Sequence, residues 1–157
     1  MNITAWRTTR KKYVRDAFGG DGAKQFGGRW NPPGTPMVYT AQSLSLAILE
    51  LIVHLEDDRD ISRYAAIPVT FHRSLVQVLP KSQWPENWFS LPVSEPSQQV
   101  GRKWIEEMSG VVLQVPSSVV PRESNFLINP LHPKFSRLKI GSPQSLHIDE
   151  RLTTFLQ

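Results

Sequence analysis

Gly110-Val111-Val112-Leu113-Gln114-Val115-Pro116-Ser117-Ser118-Val119-Val120 decides the fold class. Its β-branched runs, Val111 to Val115 and then Ser118 to Val120, read as strands that begin directly after a helical stretch. In that helix, capped by Ser97, Val100, Trp104 and Met108 form an apolar i, i+4, i+8 stripe assigned to the core. Further strands are expected at Phe135 to Ile140 and Ser145 to Ile148. Upstream, Ile3 to Thr8 and Pro36 to Thr40 read as strands. Tyr64 to Phe71 and Leu75 to Leu79 read as a pair joined by the polar turn His72-Arg73-Ser74. Ser43 is placed to cap a helix over Leu44 to Leu55. Strands outnumber helices and do not alternate with them, so the class is α+β, mainly antiparallel with a few helices. One domain over 1–157 is expected from the length.

Composition narrows the function. Apolar content of 39% and charged content of 20% fit a folded soluble chain. No run is long enough to span a bilayer, and Met1 to Ala5 lacks a signal-peptide layout, which points to the cytoplasm and away from a membrane. The chain has no cysteine, so disulfides and Cys-based zinc or redox chemistry are excluded. The net charge of +4 suits an acidic partner or anionic substrate. Only Arg7 to Lys12 forms a basic cluster, read as a solvated turn. With no basic-aromatic stripe and no carboxylate cluster, direct DNA binding ranks last.

Phe26-Gly27-Gly28-Arg29-Trp30-Asn31 places an arginine in a turn that a ligand can approach. Its guanidinium suits phosphate or carboxylate, Trp30 offers an aromatic face, and Asn31-Pro32-Pro33-Gly34 stiffens the exit. The alternative is a plain surface hairpin. Glu50 lies mid-helix with Leu46, Ala47, Val53 and His54 around it. It is either a structural ion pair or helix-edge residue, or a functional carboxylate lining a cleft. His54, four residues on, finds no third convincing ligand, and no metal is expected. His132, in Asn129-Pro130-Leu131-His132-Pro133, reads equally as structural. Tyr39 can stack on a flat heterocycle. Ser117 lacks a nucleophile elbow, so a ligand hydrogen bond suits it better than nucleophilic attack. Phe18-Gly19-Gly20-Asp21-Gly22 is not a phosphate-binding P-loop and reads as a mobile loop or lid. Trp84 and Trp88 are expected to hold an ordered loop over Lys81 to Pro96; with Phe89 they are also interface candidates.

The order Arg29, Tyr39, Glu50, Ser117, with Gly22 to Asn31, Gly34 to Tyr39, Leu46 to Glu50 followed by His54-Leu55, Val115 to Pro121, and Asn125 to Pro130 followed by His132-Pro133, resembles the RES domain family. Trp6-Arg7 and Asp149 to Leu152 also fit, so the resemblance spans Trp6 to Leu152. That family, named for an arginine, a glutamate and a serine, supplies toxins paired with Xre-type antitoxins. The resemblance implies an ADP-ribosyltransferase-like fold and a growth inhibitor that consumes NAD as substrate, with no cofactor. NAD would be degraded by hydrolysis or phosphorolysis, or its ADP-ribose transferred to a protein acceptor. By position, Arg29 would grip the phosphate or ribose portion, Tyr39 would stack near nicotinamide, and Glu50 would hold the adjoining ribose. Ser117, or the adjacent Ser118, would complete a pocket that also includes Gly28, Trp30 and Asn31. An Xre-like antitoxin covering the cleft in a hetero-oligomer is implied as partner. A non-enzymatic antitoxin-binding module is the rival reading.

Overall fold

The computed structural model describes residues 1–55 and 60–154. Among them, eight strands form one sheet: β1 (Asn2–Arg10), β2 (Val38–Ala41), β3 (Tyr64–His72), β4 (Val76–Val78), β5 (Val112–Pro116), β6 (Ser124–Ile128), β7 (Lys139–Ile140) and β8 (Gln144–Ser145). Their order is β4-β5-β6-β2-β1-β3-β7, with β8 also against β3. Every pair is antiparallel except β4–β5. The helices are α1 (Asp21–Phe26), α2 (Leu44–Val53), α3 (Glu95–Glu106) and α4 (Arg151–Thr154). No described helix is long and apolar enough to cross a membrane.

Period-two alternation divides the interior. Val38, Val112, Phe126 and Ile128 join Ala5, Ile67, Val69 and Phe71 in one core. Their chain neighbours Tyr39, Leu113 and Leu127 pack with Trp30, Met37, Trp88 and Trp104 in another. Ser43 caps α2 by accepting from the Leu46 amide at 3.1 Å. Leu44, Ile48, Leu51 and Leu55, at helical spacing, pack with Trp6 against Ala66. This seats α2 beside β1 and β2, the placement on which the site depends.

Several expectations are corrected. Leu75 to Leu79 does not pair back onto β3, whose two sides are taken by β1 and by β7 with β8. A 3-10 turn over Arg73–Leu75 sends the chain to the far edge, where β4 runs parallel to β5. Ser118 to Val120 forms no strand, because the Ser117 hydroxyl accepts from the amides of Val119 and Val120 and bends the chain. The strand lies further on, at β6. Pro133–Arg137 is a 3-10 turn capped by His132, which leaves only Lys139–Ile140 extended. Helix α3 starts after Ser94, since Pro96 is tolerated in a first turn. Ser97 is therefore inside the helix, bonded to Ser94 at 2.9 Å. Val100 and Trp104 face the core, but Met108 lies beyond the helix at φ 50° and is 41% exposed. Phe18 is buried, and Gly20 packs against Met37, Pro36 and Pro130. The glycine-rich segment is thus fastened to the body. Arg7 is not a solvated surface charge: its guanidinium donates to the carbonyls of Ala17 and Tyr39, and burial lowers its pKa to about 10.

Candidate active site

The arginine turn is assembled from inside. Gly27, at φ 75°, closes α1 by donating to the Ala23 carbonyl, and Gly28 donates to the Asn31 carbonyl at 2.9 Å. The Asn31 side chain is fully buried. Its Nδ2 donates to the carbonyls of Ala23 (2.8 Å) and Thr35 (2.9 Å), and its Oδ1 accepts from the Tyr39 hydroxyl at 2.6 Å. That hydroxyl also accepts from the Trp30 amide at 3.0 Å. A β-carbon on Gly28 would lie 2.6 Å from the same oxygen, so close approach is what requires glycine here. From α3, Gln98 Nε2 donates to the Gly28 carbonyl at 3.1 Å.

Trp30 and Asn31, expected to contact a ligand directly, turn inward instead. Trp30 is 1% exposed and stacks on Trp88 with ring centroids 6.2 Å apart. Both hold the turn in shape. Tyr39 keeps a partly exposed ring while its hydroxyl is committed to the turn. Burial raises its pKa strongly, so the phenol is neutral and is not a proton acceptor.

Arg29 presents its guanidinium at the surface of this assembly. Its Nη1 donates to the carbonyls of Trp88 (2.7 Å) and Ser90 (3.1 Å). Nε and Nη2 have no protein partner among the described residues, which leaves one edge of the fork for an anion. Burial lowers the Arg29 pKa, while Glu50 and Tyr39 act in the opposite direction. The aromatic loop meets its expected structural role: Trp84 donates to the Leu79 carbonyl and packs on Trp88, while Phe89 is left 59% exposed.

Glu50, on α2, forms no ion pair among the described residues and is not a bare helix-edge carboxylate. Its Oε1 accepts from Ser117 Oγ at 2.7 Å and from Asn125 Nδ2 at 2.8 Å, and Oε2 has no protein donor among the described residues. Ser117 is fully buried and takes two backbone amides, so its hydroxyl acts as a polarised donor to the carboxylate. It is Ser117, not Ser118, that touches Glu50. His54 Nδ1 bonds to the Glu50 carbonyl oxygen at 2.7 Å and closes the helix. No group of three metal-ligating side chains converges among the described residues.

Residues 4–149 match the family model described as the RES domain. This chain belongs to the RES domain family. It is 36% identical over 148 residues to a protein named Toxin Res from Yersinia enterocolitica (94% of this chain, 97% of that one). To the Prs ADP-ribosylating toxin of a Sphingobium species it is 35% identical over 158 residues (97% and 98%). The fold is also that of MbcT in the crystal structure of the M. tuberculosis MbcT–MbcA toxin–antitoxin complex. There the TM-score is 0.71 at 19% identity, covering 98% of this chain and 90% of that one. A 50-residue stretch is 44% identical to the same toxin, named NAD(+) phosphorylase MbcT, which is 29% of this RES chain and 27% of that protein.

Asn125 and Gln98 are the site residues that sequence reasoning missed. Asn125 stood in a quoted motif with no role, and Gln98 carried no signal. A basic recess of about 320 Å³ lined by Arg10, Lys11, Lys12, Ser62 and Arg63 shares no residue with this site.

Proposed function

We propose that this RES domain, acting as one unit over 1–157, is a toxin that cleaves the bond between nicotinamide and ribose in NAD. One observation carries the reading: a carboxylate pinned through Oε1 by Ser117 and Asn125, coupled electrostatically to an arginine with an open guanidinium edge. Its RES relatives include proteins named for NAD phosphorolysis and for ADP-ribosylation.

Breaking the ribose C1′–nitrogen bond sends the electron pair to nicotinamide, which leaves neutral from a cation. Positive charge then develops on the ribose, as in glycoside cleavage. The free Glu50 oxygen stabilises that charge and accepts from a ribose hydroxyl. Arg29 holds the diphosphate, so that C1′ is aligned before the bond breaks. The Tyr39 ring supplies a face for the nicotinamide end. An oxygen of water or phosphate then bonds to C1′, the attacking water losing its proton to solvent. An Xre-like antitoxin would bind over this cleft in a hetero-oligomer, in the cytoplasm where NAD is available.

Transfer of ADP-ribose to a protein is the second reading, favoured by the near full-length match to the Sphingobium toxin. Mass spectrometry of NAD incubated with the protein, with and without phosphate, tests both. Nicotinamide with ADP-ribose, or with its phosphorylated form, supports NAD breakdown, and Glu50→Gln should lower the rate about 100-fold or more. Intact NAD together with labelled protein in a lysate selects transfer. Intact NAD with no labelled protein rejects both.

A further inference from the structure

We infer that Asn125 is a positioning residue for the Glu50 carboxylate; the inference rests on the role given to Glu50 above. Asn125 sits in β6 between Ala41 of β2 and Val115 of β5, in the middle of the sheet. Its Nδ2 reaches across to Glu50, 75 residues away in sequence. Its Oδ1 is buried and has no hydrogen-bond partner, the one side-chain polar atom in that state among the described residues. A buried acceptor left empty is costly, and native proteins keep few of them. Turning the amide over would bring Oδ1 against the carboxylate oxygen, acceptor to acceptor, and is worse. Leucine has the same branched outline, in a larger volume, without an orphaned oxygen. The bond to Glu50 is the one hydrogen bond that the Asn125 side chain makes among the described residues.

The second donor has a geometric effect. Ser117 alone supplies a single bond from an oxygen held by two backbone amides, about which the carboxylate could still swing. With Asn125 of β6 also on Oε1, rotation must break two charge-assisted bonds. Oε1 is thereby fixed to the sheet and Oε2 is directed away from it, toward the reacting ribose.

The test compares Asn125→Leu and Asn125→Asp in the full chain. Asn125→Leu should stay folded while kcat on NAD falls about tenfold or more, with KM changed far less. Asn125→Asp should lose more at neutral pH and regain part of its kcat as the medium is acidified, because a proton shared by the two carboxyls replaces the amide donor. Among the described residues the other charged group coupled to Glu50 is Arg29, a guanidinium that stays protonated on acidification, and His54 bonds to the Glu50 backbone carbonyl. Wild-type kcat in Asn125→Leu overturns the inference, and so does an Asn125→Asp deficit that is the same at every pH. If Asn125→Leu does not fold, the acid recovery of Asn125→Asp decides alone. If the wild type leaves NAD intact in every arm, the proposed function fails separately. The contact is then judged by the Asn125 side-chain amide proton: a downfield resonance that moves upfield in Glu50→Gln supports it, and an unshifted one overturns it.

Discussion

Gly101 of α3 rests against the backbone of Trp30 so closely that a β-carbon would lie 1.7 Å from the Trp30 carbonyl oxygen and 2.8 Å from Met37 Cε. The helix is thus seated directly on the arginine turn. Gly101→Ala should gain up to about 1 kcal/mol in helix propensity. It should lose more by forcing α3 off the turn, for a net destabilisation of about 2 kcal/mol. Urea unfolding gives the sign, and a stabilised variant would refute the packing described.

Gly28 and Gly22 form an opposed pair of tests. A β-carbon on Gly28 meets the Tyr39 hydroxyl at 2.6 Å and Asn31 Oδ1 at 3.0 Å, whereas one on Gly22 meets nothing within 4 Å. Gly28→Ala should therefore lower NAD turnover by displacing the turn. Gly22→Ala, inside α1, should leave turnover intact and stabilise by up to about 1 kcal/mol. Equal activity in the two variants would remove the turn from the mechanism.

Arg29→Lys keeps the charge and loses the fork. An ammonium cannot hold the carbonyls of Trp88 and Ser90 and still offer a planar edge to a diphosphate. A loss of about tenfold or more in kcat/KM is expected from steady-state kinetics. Full activity in the lysine variant would reduce Arg29 to a point charge.

Tyr39→Phe removes the oxygen that joins the Trp30 amide to Asn31 and should cost about 1–3 kcal/mol at neutral pH. The pH dependence has a fixed sign. The folded phenol titrates above its ordinary value, so its stabilisation is complete below the unfolded pKa near 10. Above that pH the unfolded chain ionises first and the stabilisation is lost. The stability gap between wild type and variant, measured in urea at pH 7 and pH 10.5, should narrow at the higher pH.

Where local chemistry was self-sufficient, sequence reading reached the structure. The Val38–Ala41 strand, the Ser43 cap and α2 depend on alternation, a hydroxyl and helical spacing, all visible within a few residues. Arg29 and Glu50 drew notice because a charged side chain beside glycine, or within an apolar helix, asks for an explanation, and Tyr39 because it ends a strand just before that helix. The fate of Leu75 to Leu79 was not legible, because its β-propensity is silent about which sheet edge is free. Val119 and Val120 looked extended, yet one neighbouring hydroxyl captured both amides. Asn31 and Trp30 looked like ligand contacts because they flank Arg29; the inward facing of both depends on partners as distant as Trp88. Asn125 stood in a matching stretch without a role, since nothing near it announces a carboxylate 75 residues upstream.

That separation has a consequence for how activity arises during synthesis. Glu50 is translated early, but its two donors follow 67 and 75 residues later, one just past the end of β5 and one in β6, strands that must first pair in the middle of the sheet. A nascent chain halted before residue 125 carries the arginine turn and the helix without the pinned carboxylate. The proposed active-site carboxylate is therefore set in place only after most of the chain has been made.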